Sequence, residues 1–405
     1  MIPVEEALEI VVAHAQELPS EEVSLDDALG RVLREDVAAD ADFPPFDRSA
    51  MDGYAVRAED ASRAPVSLSV GGQVRAGQLF DRPHAPGTAV QIMTGAPVPE
   101  GADAVQQVEK TRPCADGRTV EILEAVVAGQ NLARRGSEVR AGERVLEAGI
   151  TVDPAALAVL AAVGKARVAV GRRPRTAVVV TGDELVEAGE RPLPGHIRNS
   201  NGPAVLAQAR LAGADARSLG VFPDDEERIA DAVSEGLKGD VLVLSGGVSE
   251  GVFDLVEGVL SRFGVELLFT KVAIKPGAPL VFGRHAETLV FGLPGNPVSA
   301  QVTFDVFVRA ALLRMQGART CARPTVEAEL SAPVKNRSGR RAHLPVRLRF
   351  EGGRFRAEPL RSMGSADLVA HARANALAVL GAERTEAAAG ERVPALLLSN
   401  FLERG

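Results

Sequence analysis

The stretch from about residue 170 to 318 constrains the fold more than any other part of the chain. Continuous apolar runs occur at TAVVVT (176–181), ARSLGVF (216–222) and DVLVLS (240–245). Helical spacing fills the intervals near 202–212, 224–237 and 251–263. Buried strands that alternate with helices call for right-handed crossovers and a parallel sheet. PLVFG (279–283) and TLVFGLP (288–294) read as two further strands before a helix at about 297–316. The centre of the chain is therefore expected to be a three-layer α/β domain with a parallel sheet.

The flanks read differently. Apolar residues Val4, Ala7, Leu8, Val11, Ala15 and Leu18 have helical spacing, with Pro3 suited to a first turn. From about 42 to 136, glycine and proline punctuate short runs such as VSLSV, TAVQIM and TVEIL, which marks a β-rich unit. Asp153 and Pro154 open a helix that Gly164 closes. If that helix packs beside the first, the N-terminal domain is discontinuous and the β-rich unit is an insertion. After 320 strands return, with HLPVRLRF and RFRAEPL flanking a turn at Glu351-Gly352-Gly353. Four domains are expected: 1–41 with 137–169, 42–136, 170–318 and 319–405.

With 405 residues, 46% apolar and 25% charged, the chain has the composition of a folded protein of several domains. A net charge of -8 argues against a general nucleic-acid binder. The two cysteines, Cys114 and Cys321, lack CxxC spacing, and the six histidines form no HxH or HxxxH pair. Disulfide frameworks and thiolate or histidine-rich metal sites are not indicated. The start, MIPVEEALEI, lacks the pattern of a signal peptide, and AALAVLAAVG (155–164) is about half the length of a membrane span. The cytoplasm is the expected location.

In an open parallel sheet, ligands bind outside the carboxyl ends of the strands. Three strands here end in Thr181-Gly182-Asp183-Glu184, in Ser245-Gly246-Gly247-Val248-Ser249 and in Leu293-Pro294-Gly295-Asn296-Pro297-Val298-Ser299. The glycines let backbone N–H groups approach an anion, and helix starts favour negative charge. Asn296 is a candidate cap with Pro297 at the first helical position. Each loop alone is an ordinary strand-to-helix turn; together on one rim they point to phosphate. Asp183, Glu184, Asp224 and Asp254 lie near the same rim. Carboxylates beside phosphate call for a cation, and hard oxygen ligands suit Mg²⁺. Lys271, Lys275 and Arg198 can supply fixed positive charge, although a solvated strand residue is the simple reading of Lys271. Further upstream, FPPFDRSAMDGYAV (43–56) contains the chain's one tyrosine, Tyr54, and reads as a turn with Phe43 and Phe46 packed beneath. MTGAPVPEGAD (93–103) is a second loop dense in glycine and proline.

PPFDRSAMDGYAV, MTGAPVPEGAD, TGDEL with IRNSN, SGGVS with Asp254, KVAIKPG and GLPGNPVS occur in that order between about 43 and 299. The set resembles the molybdopterin molybdenumtransferase (MoeA) family, which includes the C-terminal domain of gephyrin. The resemblance implies a Mg²⁺-dependent reaction that takes adenylated molybdopterin and molybdate and releases AMP as molybdenum enters the dithiolene. It implies that Asp52 and Thr94 approach the reacting end of the ligand, with Glu184 and Asp224 also in catalytic positions. Asp254, Asp224 and Glu184 become the implied metal ligands. Substrate contacts fall on Thr181, Gly182, Asp183, Arg198, Ser200, Ser245, Gly246, Gly247, Ser249, Lys271 and Lys275, on Pro294, Gly295, Asn296 and Pro297, and on Ser365 in the MGSAD stretch. The family's subunits are elongated, have four domains and pair as homodimers with a shared active site. Molybdopterin adenylyltransferase and molybdoenzyme maturation proteins are the implied partners.

The chain departs from the family pattern at three places. Ala278 follows Lys275-Pro276-Gly277 where a second lysine is frequent, which removes one oxyanion contact. Gly136-Ser137-Glu138 replaces Gly-Glu-Asp, and His343 stands where an aromatic is usual. Two other readings keep the α/β domain. One is the adenylyltransferase step that activates molybdopterin, whose enzymes usually lack the inserted and last domains. The other is a dimeric scaffold without catalysis, which has no need of the TGDE, SGGVS and Asp52 motifs.

Overall fold

The computed structural model describes residues 1–246 and 253–398, with Phe253 and Asp254 described only as part of a helix. The chain divides into two compact units. One comprises Met1–Glu35, Ala148–Pro154 and Arg167–Gly405; the other comprises Asp36–Glu147 and Ala155–Ala166.

The first unit contains a six-stranded sheet built from β1 (Arg175–Thr181), β2 (Asp215–Phe222), β3 (Val241–Ser245), β4 (Glu266–Lys271), β5 (Pro279–His285) and β6 (Thr288–Leu293). The strand order is β2-β1-β3-β6-β5-β4. The pairs β1–β2, β1–β3 and β3–β6 are parallel, while β5 runs antiparallel to both neighbours. The sheet is thus parallel around its centre. The last two strands read from the sequence, β5 and β6, form a hairpin instead of a crossover because only Ala286 and Glu287 separate them.

Alternate residues of β1 and β3 serve opposite faces, the period-two rule for a sheet buried on both sides. Val178, Val241 and Val243 pack with Val205 and Ala209 of helix α1 (Asn201–Leu211) and with Phe304 and Phe307. Ala177, Val179, Leu242 and Leu244 pack with Ile229 and Val233 of helix α2 (Glu226–Gly236) and with Val259 and Leu260 of helix α3 (Phe253–Arg262). This is the expected three-layer arrangement. The helix after β6 is interrupted: Pro297–Thr303 passes through a π-helical turn, Phe304–Val308, into Arg309–Met315. The N-terminal helix, Val4–His14, buries Val4, Ala7 and Val11 in the core of this α/β layer.

The C-terminal strands close on themselves. Arg341–Glu351 pairs with Arg354–Pro359, that with Thr325–Leu330, that with Arg392–Leu397, that with Ala376–Leu380, and that again with Arg341–Glu351. Closure removes every edge and leaves a small apolar interior of Leu330, Val346, Leu348, Leu380 and Val393. Gly352 and Gly353, with φ of +60° and +78°, make the hairpin turn expected at that position. The short strand Ile274–Lys275 adds in parallel to Arg341–Ala342, so the segment after β4 is stitched to the barrel.

The second unit is built on a six-stranded sheet in the order Ala104–Gln107, Gly53–Val56, Thr88–Ile92, Val66–Val74, Thr119–Ile122, Thr111–Pro113. Tyr54 and Val56 face one apolar cluster, and Ala55, Val90 and Ile92 face another. Phe43 and Phe46 are not packed beneath the turn as the sequence suggested: they are 39% and 40% exposed. The buried tyrosine, not the phenylalanines, supplies the aromatic bulk of this sheet.

Candidate functional site

The carboxyl ends of β1, β3 and β6 lie side by side, as the register Val180↔Ser245↔Leu293 requires, and β2 adds Phe222 opposite Thr181. Strand order reverses at β1, which sends the chain to β2 on one side and to β3 on the other. That is where an open α/β sheet leaves a crevice. The three loops singled out in the sequence leave from these ends.

Close approach explains their glycines. A Cβ on Gly246 would stand 2.0 Å from the Thr181 carbonyl oxygen, and the φ of +106° is itself unsuited to other residues. A Cβ on Gly295 would lie 3.7 Å from the Gly246 Cα, so the second and third loops abut. Gly182 donates its N–H to the Phe222 carbonyl at 3.1 Å, which holds the first loop against β2. Thr181 is buried, and its hydroxyl has no hydrogen-bond partner.

The acidic residues occupy the β1–β2 end of the rim. The Asp224 backbone N–H donates to Asp183 Oδ1 at 3.1 Å, while Asp224 Oδ1 is buried without a partner. Burial pushes the Asp224 carboxyl above the usual carboxylate range, and the charges of Asp183 and Glu184 push it further. A desolvated carboxylate facing two others suits a hard cation. Among the described residues, however, no three His, Cys, Asp or Glu side chains are grouped closely enough to hold a metal ion. A cation there would draw the rest of its shell from water or substrate oxygens, the habit of Mg²⁺. The side chain of Asp254, and Gly247 and Ser249, lie outside the described residues.

The remaining expected positions are placed as follows. Lys271 is exposed at the end of β4, which runs parallel to β6 and so reaches the same edge of the sheet. Lys275 is half-buried in the segment stitched to the barrel. Arg198 is exposed and donates Nε to the Glu190 carbonyl at 3.0 Å. Ser200 is half-buried at the start of α1. Pro294 is buried, while Gly295 and Asn296 are exposed. Pro297 holds the first helical position as expected, but Asn296 makes no side-chain cap bond, which leaves its amide facing outward. Ser365 reaches the third loop through its backbone: its carbonyl accepts from the Val298 N–H at 3.0 Å.

Sequence reasoning missed two asparagines. Asn199 Oδ1 accepts from the Gly202 N–H at 2.9 Å and secures the start of α1. Asn201 Nδ2 donates to Ser245 Oγ at 3.0 Å and to the Gly295 carbonyl at 2.8 Å. Ser245 itself is fully buried, so its hydroxyl supports the rim from below. The signal was the Asn-Ser-Asn tripeptide at a helix start, where one amide commonly caps and a second is then surplus.

In the second unit, Asp52 and Thr94 form a pair. Asp52 Oδ1 accepts the Thr94 N–H at 2.6 Å and the Thr94 hydroxyl at 2.8 Å. These two bonds, the backbone one foremost, hold the exposed Asp52 carboxyl below the usual carboxylate range. Gly53 is forced by packing, since a Cβ there would meet the Gln106 carbonyl oxygen at 1.9 Å. The aspartate is thereby fixed at the very end of a buried strand, with Oδ1 doubly bound. Glu138 pairs with Arg48 at 2.8 Å, so this departure from the family pattern is engaged in an ion pair with the same loop.

Comparison with known proteins agrees with this architecture. Family models describing the MoeA N-terminal region (domain I and II), a probable molybdopterin binding domain and the MoeA C-terminal region (domain IV) match residues 2–164, 177–314 and 327–398. The chain belongs to the MoeA family. It is 35% identical over 404 residues to a molybdopterin molybdenumtransferase of Bacillus subtilis, covering 98% of this chain and 94% of that one. The corresponding Haemophilus influenzae protein is 36% identical over 380 residues, covering 92% and 93%. A crystal structure of the molybdopterin biosynthesis MoeA protein from Pyrococcus horikoshii OT3 superposes with a TM-score of 0.84 at 32% identity, covering 98% of this chain and 100% of that one. The MoeA-family chain is thus a transferase of molybdenum cofactor biosynthesis. No helix among its described residues is long and apolar enough to cross a membrane.

Proposed function

We propose that this chain catalyses the Mg²⁺-dependent insertion of molybdate into adenylated molybdopterin, with release of AMP. The observation that carries this reading is the orphaned, desolvated Asp224 oxygen beside Asp183 and Glu184, on the rim that also bears the glycine loops. Glu184, Asp224 and Asp254 would hold Mg²⁺, which when bound supplies charge neutralisation between carboxylates and phosphate. The backbone around Gly246 and Gly295 presents N–H groups to the pterin phosphate. Lys271 and Lys275 place cationic ends for an oxyanion, with Ala278 leaving that set one lysine short of the frequent family pattern. Asp52, kept ionised and oriented by Thr94, is aimed at the reacting end of the ligand.

The working form on this reading is a cytoplasmic homodimer with a shared active site, four domains per subunit divided as the sequence suggests, receiving substrate from the adenylyltransferase and passing product to molybdoenzyme maturation proteins. Asp52→Ala and Glu184→Ala should each slow single-turnover AMP release at least about ten-fold while leaving the thermal transition unchanged, because a positioned carboxylate commonly lowers a barrier by more than about 1.4 kcal/mol. Excess EDTA should stop turnover in the wild type. Full turnover in EDTA, or unchanged AMP release in both variants, would overturn the reading.

A further inference from the structure

We propose that Asn201 is a positioning residue for the pterin phosphate, acting through Ser245 and Gly295 without touching the ligand. The inference rests on the function proposed above. Asn201 is 8% exposed, and its single amide nitrogen spends both protons on the rim. One bond fixes the fully buried Ser245 hydroxyl at the end of β3. The other holds the Gly295 carbonyl, which turns that carbonyl toward the interior. A peptide unit is planar and trans, so its C=O and N–H point opposite ways. With the Gly295 carbonyl drawn inward, the Asn296 N–H is directed outward, where an anion would approach. The same amide therefore sets the spacing of two abutting loops and the orientation of a donor in one of them. Nothing else in α1 can do this, because Asn199 is committed to the Gly202 N–H.

A side chain that merely fills space would be replaced best by the isosteric aspartate. A side chain that orients the Gly295 carbonyl by donation would not be, since a carboxylate repels that oxygen and favours a rotated peptide. The test is equilibrium binding of molybdopterin and of its dephosphorylated form to the wild type, Asn201→Ala, Asn201→Asp and Ser245→Ala, with the thermal transition recorded for each. The wild type should prefer the phosphorylated form by ten-fold or more. Asn201→Ala should lose most of that preference, and Asn201→Asp all of it. Ser245→Ala, which leaves the Gly295 bond in place, should keep the greater part. Should Asn201→Ala fail to fold, the isosteric Asn201→Asp decides the matter. A wild type with no preference for the phosphate would remove the proposed function itself. A wild-type preference that survives in Asn201→Asp would remove the positioning role while leaving the function intact.

Discussion

Asp224 shows how the rim trades stability for a binding site. Its carboxyl is buried, one oxygen lacks a donor, and its neighbours Asp183 and Glu184 carry like charge. The folded state therefore holds the Asp224 proton more tightly than the unfolded chain does. The charged form is penalised once pH exceeds the ordinary carboxylate range, and the penalty disappears as pH falls back through it. Asp224→Asn should accordingly raise the melting temperature or leave it unchanged at pH 7, with any gain shrinking toward pH 4, while AMP release slows about ten-fold. Thermal scans across that pH range, with the single-turnover assay, check both halves. A variant less stable than wild type at pH 7 would mean the side chain is held by bonds that outweigh the repulsion. Asp52 stands in contrast: it is exposed, and two bonds from Thr94 favour its charged form. Two carboxylates expected in one chemistry are thus pushed in opposite directions by their surroundings.

At the scale of elements, the crevice is a product of strand ends that cannot move apart. Gly246 sits against β1 so closely that any side chain must displace the Thr181 carbonyl, and its backbone is in the left-handed region besides. Gly246→Ala should cost about 2–4 kcal/mol from strain and displaced backbone together. Denaturant unfolding would measure it, and pterin binding should fall in parallel because the first two loops share that contact. The β5–β6 hairpin and the segment after β4 matter for the same reason. Lys271 reaches the working edge because β4 is parallel to β6, and Lys275 is held by a strand pair with the barrel. The π-helical turn at Phe304–Val308 directs Phe304 and Phe307 into the core, while Asp305 is buried against Arg323 at 2.5 Å.

For the whole molecule, the C-terminal barrel supplies a pH dependence. His343 is fully buried, its Nδ1 has no partner, and burial with the charge of Arg341 lowers its pKa to about 3. The unfolded chain would protonate this residue near pH 6.5, so stability is complete above that value. It is lost as pH falls, by up to about 1.4 kcal/mol per unit until the folded pKa is reached. His371, also lowered by burial, acts with the same sign. His343→Phe, which restores the aromatic usual in the family, should flatten the fall in stability between pH 7 and 4 without abolishing it. Urea unfolding at several pH values reads this directly; an unchanged slope would show that the histidine is accommodated when charged.

Periodicity in the chain was sufficient for the kinds of element and for their layering. TAVVVT and DVLVLS could only be strands buried on both faces, and the ordered motifs from PPFDRSAMDGYAV to GLPGNPVS carried the family and its chemistry. These properties are local or combinatorial, and a linear string records them. Pairing and burial are not local. Nothing in the string could show that β5 runs against its neighbours, that Phe43 and Phe46 face outward while Tyr54 is buried, or that Ile274–Lys275 joins a closed barrel. Nor could it assign Asn201, whose partners at Ser245 and Gly295 are 44 and 94 residues away. A hydrogen bond of about 3 Å depends on three-dimensional distance, and only the packed sheet brings those atoms within reach of one amide.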